Sequence, residues 1–213
     1  MCFNAPVSLA TFFFGLIFSL LLIFYGNTKY KKENIVFGIM LIFISSIQLM
    51  EYFLWSDINN KYGINHLMTL ICPLLIVCQP IILYIIKIIY FKPDLFSLNN
   101  YNLQLFILNI IYLSIFLSNY TKYINKNLIT TVKKGHLSWP INNLMNPIFY
   151  LILLAINMFY LTDFKYSTII FIVTYLFSIL SYIYFGYHIA EMWCFFGSSI
   201  PLILFIITKY YIS

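Results

Sequence analysis

The stretch IVFGIMLIFISSIQLMEYFLW, Ile35–Trp55, runs for 21 residues with a single charged side chain, Glu51. A helix of that length spans about 30 Å, the thickness of a bilayer's hydrocarbon core. Backbone groups in lipid must be satisfied inside the protein, and an unalternating run this long does so as an α-helix. Its polar residues Gln48, Glu51, Tyr52 and Trp55 recur at i, i+3, i+4 and i+7, which is one helical face. A carboxylate below the membrane surface is costly, so Glu51 raises the question of what that face meets.

The rest of the chain repeats the pattern. Of 213 residues, 62% are hydrophobic, 21% aromatic and only 8% charged. That is too apolar for a soluble domain of this size. Apolar runs predict an all-α, polytopic transmembrane helix bundle of about seven spans, one domain over residues 1–213 with the lipid bilayer as its first partner. The expected spans are Ser8–Tyr25, Ile35–Trp55, Leu67–Ile86, Leu103–Ser118, Leu144–Leu161, Thr168–Phe185 and Ile189–Thr208. The shortest is the fourth. Gln79-Pro80 falls within the third, where a proline frees a backbone carbonyl one turn back and bends the helix.

All 12 basic residues are lysines, scattered over the connectors. This argues for membrane orientation and against nucleic-acid binding. Five (Lys61, Lys122, Lys126, Lys133, Lys134) fall on the N-terminal side. Seven (Lys29, Lys31, Lys32, Lys87, Lys92, Lys165, Lys209) fall opposite. The basic first connector favours an outside or lumenal N-terminus and a cytoplasmic C-terminus. The apolar run after MCFNAPVS lacks a cleavage signal and is read as the first anchor. Four cysteines show no zinc spacing. Cys2 and Cys194 share a face, so a disulfide between them is expected if that compartment oxidises.

Placed on this map, the chemically able side chains crowd one membrane face. Gln48 and Glu51 close span two, His66 and Cys72 open span three, and His136, Trp139 and Asn142 precede span five. In GYHIAEMWCFFGSSIP, Gly186–Pro201, His188, Glu191, Trp193 and Cys194 open span seven. His188 and Glu191 lie three apart on one helical face, a spacing able to supply two metal ligands. The expected ligand contacts are Glu51, Gln79, His136, Asn142, His188 and Glu191. A divalent metal, if one binds, is expected on His188, Glu191, Glu51 and His136. The tryptophans read first as an interfacial aromatic belt. Asn119-Tyr-Thr121 matches a glycosylation acceptor but adjoins span four.

Read in order, MCFNAPVS, QLMEYFLW, CPLLIVCQP, GHLSWPINN and EMWCFFGSS resemble an uncharacterised family of polytopic membrane proteins that typically begin Met-Cys-Trp-Ser. The landmarks carried over are Cys2, Glu51, Gln79, Pro80, His136, Trp139, Pro140, Asn142, Trp193 and Cys194. Phe3-Asn4 replaces the usual Trp-Ser, and the histidine usual before Gln-Pro is replaced by Cys78. The resemblance implies a multi-pass membrane protein and no particular reaction.

Three functions fit the residues. The first is binding or passing a small ligand or metal at a polar site near the N-terminal face. The second is an intramembrane enzyme acting on a lipid or prenyl substrate through a His/Glu site. The third is a structural or assembly protein without a ligand.

Overall fold

A computed structural model of the chain describes residues 4–93, 100–133, 135–140, 144, 146–185 and 195–210. They form eight α-helices, one short helical turn at Thr28–Tyr30 and one small hairpin. In chain order the helices are α1 (Ala5–Tyr25), α2 (Lys31–Ser56), α3 (Ile64–Val77), α4 (Gln79–Phe91) and α5 (Asn100–Ile124). The strands β1 (Thr131–Lys133) and β2 (His136–Ser138) follow, then α6 (Pro147–Phe159), α7 (Phe164–Phe185) and α8 (Ile200–Tyr210). Helices α1, α2, α5 and α7 are each long and apolar enough to cross a membrane, and α3 with α4 makes a fifth candidate if the bent pair counts as one span. Helix α6 and the segment Phe195–Tyr210 are apolar but shorter. The seventh expected span, Ile189–Thr208, lies partly outside the described residues.

Sequence explains the helix starts. Asn4 caps α1 by accepting from the Val7 N–H at 3.0 Å, and Asn146 caps α6. Each cap is followed by a proline in the first turn, where its missing N–H costs nothing. Helices α1 and α2 pack closely because small residues meet. A Cβ on Gly15 would collide with Ser45 Oγ, and one on Gly38 would collide with Ile23. In lipid, where apolar surface alone drives little association, such close approach supplies the packing energy.

The expected bend is present. Helices α3 and α4 meet at 55° across Cys78. Pro80 lacks the N–H that would reach the Ile76 carbonyl. Pro73, within α3, likewise frees the carbonyl of Thr69. Helix α5 lends hydroxyls along this broken stretch. Tyr123 donates to Thr69 O at 3.1 Å, Tyr120 to Leu70 O at 2.9 Å, and Tyr112 to Val77 O at 3.1 Å. Tyr112, Phe116 and Tyr120 share one buried cluster and Tyr123 stacks on Tyr120, a single stripe as helical spacing allows. That stripe carries α5 to Ile124, beyond the expected end at Ser118. Asn119 therefore lies inside a helix, its amide 3.3 Å from the Leu144 carbonyl.

Hydrogen bonds between distant segments define the two ends of the bundle. At the end holding the N-terminus of α1, Asn65 donates to the carbonyls of Ile58 and Thr130 and accepts from the Thr130 N–H. Thr69 and Thr130 share a hydroxyl contact at 2.8 Å, and His66 Nδ1 donates to Leu128 O at 2.8 Å. At the other end Asn34 donates to Asn27 O, Asn27 to Thr208 O, and Tyr166 to Asn34 Oδ1.

One sequence expectation needs correction there. Lys87 is no connector lysine: it is fully buried in α4, and it caps the C-terminus of α6. Its Nζ donates to the carbonyls of Asn157, Met158 and Tyr160 at 2.6, 2.8 and 2.7 Å, with Thr162 Oγ1 3.1 Å away. Glu33, just before the expected span two, stands in the first turn of α2, where a carboxylate suits the helix N-terminus.

Candidate binding site

Four features meet toward the N-terminal end. The first is the C-terminal half of α2, whose spacing turns Ser45, Gln48 and Glu51 inward. All three are fully buried. The second is α3, which brings Cys72 within electrostatic reach of Glu51. The third is the turn after α2. Asp57 accepts from the backbone N–H of Lys61, Tyr62 and Ile64 at 2.7, 3.1 and 2.9 Å. Burial raises the Asp57 pKa, but these N–H groups outweigh it and hold the carboxyl below its ordinary value, as hydrogen bonds to the charged form do. Gly63 closes the turn at a φ of 76°. Glycine adopts that conformation without strain.

The fourth feature is the hairpin. Its strands pair Lys133 with His136 and Thr131 with Ser138, around Gly135 at a φ of 77°. Strand alternation turns Leu137 to one side. Leu137 is completely buried, and Trp139 follows it inward. Leu137 and Trp139 share one apolar cluster with Leu54, Trp55 and Cys72, so the hairpin stoppers this end of the bundle. His136 lies on β2, half-buried, not in an irregular loop.

Polar atoms lie enclosed below that stopper. Among the described residues, Gln48 Nε2 and Oε1, Trp55 Nε1, Trp139 Nε1, Ser8 Oγ and Ser45 Oγ are buried without a hydrogen-bond partner. Gln79, fully buried at the bend, accepts a hydrogen bond from the Tyr150 hydroxyl at Oε1, but its Nε2 has no acceptor among the described residues. Leaving such a group unsatisfied costs about 1–3 kcal/mol each, and folded chains keep few of them. Most of the bundle's remaining buried polar side chains are bonded; Ser19 and Tyr84, in the opposite half, leave a comparable hydroxyl unmatched among the described residues.

Of the expected contacts, Glu51 is in this centre, Gln79 lies deeper at the bend, and His136 stands on the stopper. Asn142, His188 and Glu191 lie outside the described residues, as do Cys2 and Cys194 of the expected disulfide. No group of three or more His, Cys, Asp or Glu side chains is placed to hold a metal among the described residues. Gln48, Trp55 and Trp139 are not among the expected contacts. The tryptophans read from sequence as an interfacial belt, and only the direction of the hairpin shows that Trp139 turns inward. The indole N–H groups donate hydrogen bonds and cannot ligate a cation, whereas the amides both donate and accept. The centre is thus equipped to hold a polar group by hydrogen bonds.

The class defined by fold and centre is an α-helical protein with four helices long and apolar enough to cross a membrane and a buried polar cluster at one end. No family model, no curated protein and no solved structure matches the chain.

Proposed function

We infer that this is a multi-pass membrane protein that binds, or passes, a small hydrogen-bonding ligand in the half of the bundle nearest its N-terminus. On this reading the chain crosses seven times, through α1, α2, the bent α3–α4 pair, α5, α6, α7 and the segment ending in α8. The observation that carries the reading is the contrast between two sets of buried polar groups in the same half of the bundle. Asn65, Thr69 and Thr130 close their hydrogen bonds on one another and on nearby carbonyls, while Gln48, Trp55 and Trp139 keep unused capacity. A structural network would close its own hydrogen bonds. Unused donors and acceptors below the stopper are what a binding centre requires.

The resemblance to the Met-Cys-Trp-Ser family belongs to the same proposal. Glu51 and Trp139 fall in the centre, and Gln79-Pro80 forms the bend that floors it. Native mass spectrometry of the detergent-solubilised protein tests the reading. A small adduct on the wild type that Gln48→Leu removes supports it, and an adduct-free wild type with no mass difference between the two beyond the substitution counts against it. Elemental analysis of the same samples shows whether the adduct is a metal.

A further inference from the structure

A groove of about 290 Å³ runs along the N-terminal half of α1, lined by Ala10, Thr11, Phe14, Phe195, Phe196, Ser198 and Ser199. It opens outward: Ala10 and Phe14 are exposed, on the helix that also presents Phe13, Ile17 and Phe24 to the surroundings. The hydroxyls of Thr11 and Ser199 are spent on the backbone carbonyls of Val7 and Phe196, so those walls offer little polarity.

The depth of this groove follows from the seam between α1 and α2. These helices are antiparallel, with Gly15 against Ser45 and Gly38 against Ser19 and Ile23. One turn from Gly15 toward the N-terminus brings Thr11. One turn from Ser45 in the matching direction brings Gln48 and Leu49. Groove and polar centre therefore stand at the same level. They are also adjacent: a Cβ on Gly15 would press on Ser45 Oγ on one side and lie 3.2 Å from Ser198 Cβ on the groove side. From the aqueous end the centre is stoppered by Leu137 and Trp139. The groove opens instead on the side of the bundle.

The geometry points to an amphiphile drawn from the bilayer as the ligand, with a neutral head that both donates and accepts hydrogen bonds, such as a hydroxyl, at the Gln48 centre and an alkyl chain in the α1 groove. This rests on the reading of the Gln48 centre given above and adds the chemical class of the ligand. The head follows from Gln48, whose amide N–H and carbonyl are both unmatched. That amide asks for a group that can both donate and accept. The tail follows from the groove's apolar walls and its exposure to hydrocarbon.

The probe is a long-chain primary alcohol, dodecanol carrying a mid-chain diazirine, added to the protein in phosphatidylcholine nanodiscs. After photolysis the labelled peptides are mapped by mass spectrometry. Labelling is expected to concentrate on Ala10–Phe14 and on residues 195–199, and to fall severalfold in Ala10→Phe and in Gln48→Leu. Unlabelled dodecanol should compete, and dodecane, which has no head, should not. Ser199→Leu fills the groove from its other wall and serves as the second groove variant. Labelling spread evenly over the lipid-facing sides of α1, α5 and α7 overturns the proposal. Groove labelling that Ala10→Phe removes but Gln48→Leu leaves intact also overturns it, since the chain then binds without its head. In that case a Gln48-dependent adduct in native mass spectra would leave the polar-ligand reading standing, so the two failures are separable.

Discussion

The Lys87 ammonium donates to the Tyr160 carbonyl at 2.7 Å, and the bond closes the end of α6 with a side chain from α4. The same ammonium holds Asn157 and Met158 and lies 5.0 Å from the centroid of the Phe37 ring, a distance at which a cation is drawn to the ring face. A buried charge used this fully is a fastener. Replacing Lys87 with Met removes every one of these bonds from the last turn of α6. The expected loss is about 3 kcal/mol or more, visible as a lower midpoint of thermal unfolding in detergent. Lys87→Arg is not expected to rescue, because a planar guanidinium cannot direct its donors at a converging set of carbonyls.

The α5 tyrosines fasten the broken span by a different device. Tyr123→Phe keeps the ring and removes only the bond to Thr69 O, the carbonyl that Pro73 frees. A loss of about 1 kcal/mol is expected. Tyr123→Phe combined with Pro73→Ala should lose less than the sum of the single changes, because restoring the helix N–H at residue 73 gives that carbonyl a partner again. Thermal midpoints of the four proteins measure the coupling, and strict additivity would show that the two positions are independent.

Asp57 gives the turn after α2 a definite pH dependence. Its pKa is lowered in the folded protein from an ordinary value of 3.8. The stability it contributes is therefore fully present above that ordinary value and is lost as pH falls through the depressed folded value. Asp57→Ala should lower the thermal midpoint in mildly acidic to neutral buffer. The gap from wild type should narrow as the pH drops below that ordinary value. A gap that stays constant down to the acid limit would mean the carboxylate charge plays no part.

The hairpin is held to α3 through Asn65, Thr69 and Thr130. Asn65→Leu breaks four bonds at once and removes the amide donor from the Ile58 and Thr130 carbonyls. Hydrogen exchange over residues 128–139 should speed up markedly, while α4 and α6 at the far end keep their protection. Uniform acceleration across the bundle would show instead that the whole fold depends on this network.

Much of this was legible in the sequence, for reasons tied to particular residues. The i, i+3 spacing of Gln48 and Glu51 places both on the buried face of α2, and Gln79-Pro80 marks the bend. The full extent of α5 was not legible. Asn119, Tyr120 and Tyr123 dilute its hydropathy, and only the position of α3 shows that the tyrosines turn inward. Lys87, one polar residue in ILYIIKIIYF, has the sequence pattern of a lysine near a membrane surface, and the neighbouring α6 terminus is what makes it interior. With Lys87 withdrawn, the opposite side keeps six connector lysines against five, so the balance behind the expected orientation is nearly even. Trp139 follows a hairpin that buries Leu137, and a belt residue and a core residue look alike until that strand's direction is known.

The contrast between satisfied and unsatisfied polar groups is tested most directly by the thermal midpoint of Gln48→Leu beside Asn65→Leu, both without added ligand. Leucine is close to glutamine in size and removes two unmatched polar atoms from the centre, so Gln48→Leu is expected to unfold at a higher temperature than wild type. Asn65→Leu, which destroys a completed network, is expected to unfold at a lower one. A Gln48→Leu protein destabilised as much as Asn65→Leu would contradict the central claim, because Gln48 would then be holding the fold together and not waiting for a ligand.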